Sequence, residues 1–287
     1  MRWLPLGLVA CTLPDFAEEW QLDRLRLLAI RAEPAEPRPG DIVTFTSLAY
    51  VPGEEEWVSV WLACIDGDTE GCSLDPALTS QLEHAEDLSD AELAALMQAL
   101  RESGFVGIQP GMDLQWIVPA DALEGLSEAE ALEGSSGTVT VALSTEADNE
   151  LTLKRIPVSL ATTPNQNPDI APLRLDDIEV EDAVAVGANL DIDLHADLPD
   201  SAETYTYVTT DGVVETRTEE PTWRWYVSGG TLANNEDLED VSFGDGGSVS
   251  SDMTWTTPED AGTYTLAAVV VDGRGGMGWR SLIVTVR

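Results

Sequence analysis

The stretch NLDIDLHA at residues 189–196 decides the fold class of the C-terminal half of this chain. Its apolar residues Leu190, Ile192 and Leu194 alternate with polar ones. Alternation with a period of two is typical of a β-strand that has one buried face and one solvated face. We therefore expect an antiparallel β-sheet in this region.

Similar strand patterns flank this stretch in both directions. On the C-terminal side they cover 204–209, 213–218, 223–227, 253–256, 264–271 and 279–286, and Asp211-Gly212 supplies a tight turn between the first two. On the N-terminal side they cover 22–32, 42–48, 57–64, 138–144 and 151–160. Short strands separated by Pro- and Gly-rich turns indicate antiparallel sandwiches. The polar, proline-containing segment 164–172 indicates a linker, so we expect an all-β chain with sandwiches at 22–163 and 173–287.

One region departs from the strand pattern. Ser89 and Glu92 have the spacing of a capping box, and a Leu/Met stripe follows at helical intervals before Gly104. Ser127 and Glu130 repeat the capping signature. We expect a short helical insertion at about 86–133 within the first sandwich. Its apolar stripe packs on that sandwich or, as the alternative, forms a face for a partner.

The C-terminal half resembles a known class of domain. Asp260-Ala261-Gly262-Thr263-Tyr264 is similar to the D-x-G-x-Y tyrosine corner of immunoglobulin-like domains, and Trp225 stands where their core tryptophan lies. The run 255–276 is similar to PKD-like modules of bacterial surfaces. The resemblance implies an Ig-like sandwich with Trp225, Asp260, Gly262 and Tyr264 as structural residues. Leu266 replaces the usual second cysteine, so apolar packing has to hold these two sheets together.

The N-terminus has the layout of an export signal. Arg2 precedes a short apolar run that ends at Cys11, and the run is too short to span a bilayer. Leu8-Val9-Ala10-Cys11 resembles a bacterial lipobox, which implies lipidation of Cys11, a signal peptide at 1–11 and a tether at 12–21. Thr12 follows where an aspartate would mark inner-membrane retention, so the resemblance points to the outer membrane. Together these features resemble Ig-like lipoproteins of the myxobacterial type.

The two other cysteines bracket a short acidic loop. Cys64 and Cys72 are close enough in sequence to form a disulfide, as suits an oxidising compartment. Oxygen ligands of the kind that calcium prefers lie in or next to this loop, on Asp66, Asp68, Glu70 and Asp75. The alternative is a solvated acidic loop that binds no ion. We expect no other cofactor.

Charge narrows the range of partners. The chain has 53 acidic and 14 basic residues and a net charge of -39, a balance that repels phosphate backbones and excludes nucleic-acid binding. Such a surface suits either a high-salt environment or a basic partner. His84 and His195 lie in no catalytic motif, so we expect no enzymatic activity. The alternative is a hydrolase whose catalytic carboxylates are distant in sequence.

The sequence therefore predicts a non-enzymatic lipoprotein of the outer membrane. We expect it to serve as a structural or protein-binding module of the cell envelope, with an envelope protein or a glycan as its partner. The alternative is a module for surface adhesion or polysaccharide recognition, with calcium as its candidate stabilising ion. That function requires an exposed aromatic ring, for which Trp57, Trp116 and Trp279 are the candidates.

Overall fold

The structure is a computed structural model of the 287-residue chain. It describes residues 19–53, 55–65, 72, 76–83, 88–110, 112–199, 203–208, 213–233, 242–243 and 249–287. Within these residues the chain forms two β-sandwiches, as the strand patterns predict. The strands of the first precede the segment 164–172, and those of the second follow it.

The N-terminal sandwich packs two antiparallel sheets face to face. Its strands are β1 (Arg26–Glu33), β2 (Ile42–Tyr50), β3 (Val58–Ile65), β4 (Phe105–Gln109), β5 (Gln115–Ile117), β6 (Ser135–Ser144) and β7 (Asn149–Val158). One sheet has the order β1-β2-β5 and the other β4-β3-β6-β7. Alternate residues of each sheet point into the core, where the Phe45 and Trp61 rings stack 5.9 Å apart. This burial of apolar area stabilises the sandwich.

In its described residues this sandwich also has three helices, α1 (Pro76–Glu83), α2 (Asp90–Glu102) and α3 (Glu128–Glu133). Ser89 and Ser127 form the two predicted capping boxes at α2 and α3. Leu96 and Leu100 of α2 pack with Phe105 of the edge strand β4. In the part of the chain that the structure describes, no helix is long and apolar enough to cross a membrane.

The predicted helical insertion at 86–133 is only partly helical. Strands β4 and β5 lie inside it, and they pair with β3 and β2 of the two sheets. Both strands are short, and Gly107 and Pro110 interrupt their apolar pattern. The signal in the local sequence is therefore too weak, and pairing with distant strands decides the structure.

The C-terminal sandwich contains the remaining strands. They are β8 (Leu173–Leu175), β9 (Ile178–Val180), β10 (Ala183–Val186), β11 (Asp191–Asp197), β12 (Thr204–Val208), β13 (Val214–Thr218), β14 (Thr222–Val227), β15 (Thr231–Leu232), β16 (Ser242–Phe243), β17 (Val249–Thr256), β18 (Gly262–Val271) and β19 (Met277–Val286). One sheet has the order β10-β19-β18-β14, and the other β15-β17-β11-β8-β9 with β16 on β17.

The strand order of this second sandwich is that of an Ig-like domain. Strands β8, β11, β17 and β15 take the places of A, B, E and D, and β14, β18 and β19 take those of C, F and G. The hairpin β12–β13 is inserted between B and C. Trp225 and Trp255 are buried in the core between the sheets. The Tyr264 hydroxyl donates a hydrogen bond to the Asp260 carbonyl at 3.0 Å, which is the bond that a tyrosine corner makes.

The end of the predicted tether is part of the C-terminal sandwich. Gln21 forms a parallel bridge with Val227, the last residue of β14, and Trp20 is buried in the C-terminal core. The backbone N–H of Leu22 donates to the Val227 carbonyl at 2.8 Å. The last two residues of the predicted tether at 12–21 are therefore part of the fold. The apolar Trp20 side chain gains more from burial than from exposure.

Candidate functional site at the interdomain junction

The two sandwiches meet in a junction whose polar centre is Arg274. This residue lies in the turn between β18 and β19. Asp272 Oδ1 accepts backbone hydrogen bonds from Arg274, Gly275 and Gly276 at 2.7, 2.9 and 3.0 Å. Gly273 and Gly275 adopt φ values of +86° and +108°, which favour glycine. The sequence Asp-Gly-Arg-Gly-Gly therefore folds around its own aspartate and directs Arg274 toward the first sandwich.

The Arg274 guanidinium holds together groups that are distant in sequence. It donates to Glu36 Oε2 at 2.8 Å, to the Thr163 carbonyl at 3.0 Å and to Glu219 Oε1 at 3.3 Å. Glu203 lies 3.7 Å away as a further ion pair. The guanidinium also lies over the Tyr205 ring, 4.2 Å from its centroid. Only 12% of the Arg274 side chain is exposed, so water screens these contacts weakly.

Glu36 is the receiving group on the first sandwich. It lies between Pro34 and Pro37 in the turn before β2 and is buried. Besides Arg274 it accepts hydrogen bonds from the Ser159 hydroxyl at 2.5 Å and from the backbone N–H of Asn165 at 2.6 Å. One carboxylate thus joins the first sandwich, the linker and the second sandwich. Such charge-assisted bonds are stronger than bonds between neutral groups.

The linker 164–172 is fixed at several points. Asn165 Nδ2 donates to Asp272 Oδ2 at 2.9 Å, and Asn167 Nδ2 donates to the Ala32 carbonyl at 2.6 Å. The Asn167 side chain also accepts from the backbone N–H of Met277 at 3.0 Å. Ile170 is buried in the C-terminal core. The linker is therefore a bonded component of the junction, because its side chains contact both sandwiches.

An apolar contact lies beside this polar centre. Leu28 and Ala29 of β1 pack on Tyr226, Ala267 and Val269, which lie on the outer face of β14 and β18. Leu48, Tyr50, Met277 and Trp279 surround this contact. The first sandwich therefore covers the part of the outer face of the sheet β10-β19-β18-β14 that lies on β14 and β18. This apolar burial supplies the nonspecific part of the stabilisation, and the polar centre fixes the orientation.

The inserted hairpin β12–β13 bridges the junction from the side. The Tyr207 hydroxyl donates to Glu133 of α3 at 3.0 Å, while Tyr205 lies under Arg274. Between the hairpin and the first sandwich is a crevice of about 400 Å³. Its lining includes Leu132, Pro157, Tyr205, Tyr207 and Arg274. The volume is within the range of small-ligand sites, which often lie between domains.

Several groups at the junction have perturbed pKa values. Burial, reinforced by the charges of Asp272 and Glu203, raises the pKa of Glu219 to about 7. Burial also raises the pKa of Asp272 and of Glu203. Lys154 of β7 donates to the Gly275 carbonyl at 2.7 Å, and burial lowers its pKa to about 8. The junction therefore holds ionisable groups that gain or lose protons near neutral pH.

The structure describes some of the predicted site residues. Cys64 and Cys72 form the predicted disulfide, with their Cα atoms 5.7 Å apart. Cys11 and the predicted calcium ligands Asp66, Asp68, Glu70 and Asp75 lie outside the described residues, as does His84. Within the described ranges, no group of three or more His, Cys, Asp and Glu side chains is arranged to hold a metal ion. His195 contacts the carboxylates of Asp252 and Asp197 on the outer face of β11.

The candidate aromatic residues have structural positions. Trp116 is buried in the N-terminal core, Trp57 is half-buried against it, and Trp279 packs at the junction. Every aromatic side chain whose burial the structure describes is buried or half-buried. Tyr205 and Tyr207 each have a guanidinium over one ring face, so neither presents a free flat surface on that side.

Sequence reasoning did not identify the residues of the polar centre. Arg274 lies in the run 255–276, whose one sequence signal is its likeness to PKD-like modules, and Glu36 is one of many acidic residues. Lys154 is the one residue with a usable signal. It is the single lysine in a chain with 53 acidic residues, so its position is unusual on composition alone.

Comparisons with known proteins do not name a family. No family model and no curated protein matches the chain. Among solved structures, the chain is similar to dimeric latent PorU from Porphyromonas gingivalis, with 14% identity, a TM-score of 0.27 and coverage of 92% of this chain and 24% of that one. It is similar at 14% identity to Escherichia coli alpha-2-macroglobulin, with a TM-score of 0.24 and coverage of 95% and 22%.

A third solved structure contains Ig domains. It is the complex of Dpr2 Ig1-Ig2 with DIP-Theta Ig1-Ig3, with 11% identity, a TM-score of 0.20 and coverage of 92% of this chain and 65% of that one. The chain spans about a quarter of the length of the first two structures. Likenesses this low carry no argument about function, and the assignment of an Ig-like fold rests on the strand order and the tyrosine corner described above.

Proposed function

We propose that this chain is a non-enzymatic, lipid-anchored protein of the outer membrane that serves as a structural or protein-binding module of the cell envelope. The observation that carries the proposal is the junction. Arg274, Glu36 and the bonded linker hold two sandwiches in one orientation, as a module that presents a defined surface requires. The lipobox-like segment ending at Cys11 supplies the anchor in this proposal.

Two further observations support a binding module over the alternatives. The candidate aromatics for sugar recognition are buried or half-buried, which counts against a flat ring platform formed by them. Two of the perturbed carboxylates, Glu203 and Glu219, pair with Arg274, which in turn pairs with Glu36 of the first sandwich. Perturbed groups of this kind also occur in structural ion-pair networks, so they do not by themselves indicate catalysis.

The anchor is tested by comparing the wild-type chain with Cys11→Ser in the native envelope. We expect the wild-type chain to incorporate a fatty-acid label and to fractionate with the outer membrane, and the variant to do neither. Mass spectrometry of the N-terminal peptide identifies the modified residue. A wild-type chain that carries no lipid on Cys11 would contradict the proposed anchoring.

The binding role is tested by crosslinking in intact cells followed by affinity purification. We expect a defined set of envelope proteins to copurify with the lipidated chain. Arg274→Gln serves as the variant that loosens the junction, and Arg217→Gln on the exposed side of the hairpin is its matched control. Loss of the set in the first variant and retention in the second is the expected result. If no envelope protein copurifies with the folded wild-type chain, the binding role is wrong.

A further inference from the structure

The polar centre of the junction has an excess of negative charge. Three carboxylates, those of Glu36, Glu203 and Glu219, pair with one guanidinium. A fourth, that of Asp272, accepts the backbone N–H of the same arginine. Lys154 is the second cation, and it points its ammonium group at the Gly275 carbonyl. The Arg274 guanidinium makes its shortest carboxylate contact with Glu36. It therefore neutralises the negative charge of the remaining carboxylates incompletely.

Glu219 is the carboxylate left in the least favourable position. It is buried, and its contact with Arg274 is longer than that of Glu36, 3.3 Å against 2.8 Å. Its backbone N–H donates to the Glu203 carbonyl at 2.9 Å, so the two acidic residues lie side by side. Burial and like charges both disfavour the ionised form of such a group.

The charged and titratable groups around Glu219 come from every element packed there. The hairpin and its flanking residues contribute Glu203, Tyr205, Arg217 and Glu220, and the turn after β18 contributes Asp272 and Arg274. The first sandwich contributes Glu36 through its bond to Arg274, and Lys154 through its charge next to Asp272. Acidic groups outnumber basic ones in this set, which favours proton uptake.

We propose that the junction is a proton-operated latch, in which proton uptake by the carboxylates around Arg274 tightens the contact between the two sandwiches and their full ionisation loosens it. The latch acts on the whole junction because Glu36, Asn165 and Asp272 link the same network to the linker and to both sandwiches. The apolar contact at Leu28 and Tyr226 keeps the sandwiches adjacent in either state.

The direction of the effect follows from the pKa of Glu219. This pKa is about 7 in the closed junction against 4.5 for an ordinary glutamate. The contribution of Glu219 to the stability of the closed junction is therefore fully present below pH 4.5, the ordinary pKa of a glutamate, and is lost as the pH rises through 7. Asp272 and Glu203 act in the same direction because their pKa values are also raised. The pKa of Lys154 is about 8, so ionisation of its ammonium group affects the stability of the junction mainly above pH 7.

Hydrogen exchange in the full chain measures the opening of the latch. The backbone amides of Asn165 and Met277 report on the junction, since each donates to a side chain of the network or the linker. Amides of β6 in the N-terminal core serve as the internal reference. After correction for intrinsic exchange, we expect junction protection to rise about tenfold relative to β6 between about pH 7.5 and pH 5.5. A flat or reversed profile would overturn the proposal.

Matched variants separate the latch from general effects of pH. Glu219→Gln keeps the shape of the side chain but cannot ionise, so we expect high protection and a flattened profile. Glu215→Gln changes an exposed carboxylate on the same hairpin, and we expect it to keep the wild-type profile. A Glu219→Gln profile as steep as wild type contradicts the proposal.

A second variant covers the case in which Glu219→Gln fails to fold. Glu203→Gln changes a carboxylate that is one-third exposed, which makes it easier to accommodate. It removes one titrating group and one like charge next to Glu219, so we expect a shallower profile. An unchanged profile in this variant also overturns the proposal.

Discussion

Two arginines lie over two tyrosines of the same strand, and they differ in burial. Arg274 lies 4.2 Å from the Tyr205 ring, and Arg217 lies 3.8 Å from the Tyr207 ring. Each also contacts a carboxylate at 2.8 Å. The Arg274 side chain is 12% exposed and joins two domains, whereas the Arg217 side chain is 44% exposed and contacts a residue two positions away.

The comparison shows that contact geometry alone does not measure the importance of an ion pair. An exposed pair exchanges its contacts for water at little cost, and salt screens it. A buried pair cannot do so, because removing one partner leaves the other charged and without water. We therefore expect the same substitution to have very different effects at the two sites.

The largest expected effect is that of Arg274→Gln. It leaves Glu36 and Glu219 buried without their cation, and we expect the stability of the junction, measured by the first unfolding transition, to fall by about 3 kcal/mol. Urea denaturation of both variants measures the difference. Arg217→Gln is the control, and we expect its midpoint to match wild type within error. Equal losses of stability from the two substitutions would contradict the argument that burial sets the importance of the ion pair.

A smaller effect is expected from Glu36→Gln. The amide keeps the shape and one acceptor oxygen, but it removes the charge that pairs with Arg274, so we expect a loss of about 1–2 kcal/mol. Glu33→Gln at the end of β1 is the control, since Glu33 is exposed, pairs with Arg31 at 3.6 Å and accepts from Asn167 Nδ2 at 3.1 Å, a bond that an amide oxygen also accepts. The same urea titration measures both. A larger loss for Glu33→Gln would contradict the burial argument.

The smallest expected effect is that of salt on the Arg274 contact. Raising NaCl from about 0.05 M to about 0.5 M screens exposed charges more than buried ones. The difference between wild type and Arg274→Gln is then expected to change by no more than about 0.5 kcal/mol. The absolute stability of both proteins is expected to rise, because salt screens the repulsion within a net charge of -39. A difference that disappears in high salt would show that the contact behaves as a surface pair.

The sequence predicted the sandwiches better than it predicted their contact. Strands such as Asp191–Asp197 and Gly262–Val271 carry a local alternating or β-branched signal, and the structure confirms them. The strands β4 and β5 carry almost no local signal, so their pairing with distant strands was missed. The disulfide was predictable because Cys64 and Cys72 are eight residues apart.

The residues of the polar centre could not be predicted from local sequence patterns, and the reason is physical. Glu36 and Arg274 are 238 residues apart, and neither lies in a periodic pattern that marks it as buried. In a chain with 53 acidic residues, the few that lose their water cannot be recognised from composition. The burial of Trp20 on β14 was missed for the same reason, since its partner strand lies about two hundred residues away in sequence.

We expect the junction to make the two sandwiches one cooperative unit, and differential scanning calorimetry measures this cooperativity. We expect the full chain at about pH 6 to unfold in a single transition whose calorimetric and van't Hoff enthalpies agree. Arg274→Gln is expected to separate this transition into two, and Arg217→Gln is expected to leave it single. Two well-separated transitions in the wild-type chain would show that the sandwiches unfold independently and would contradict the account.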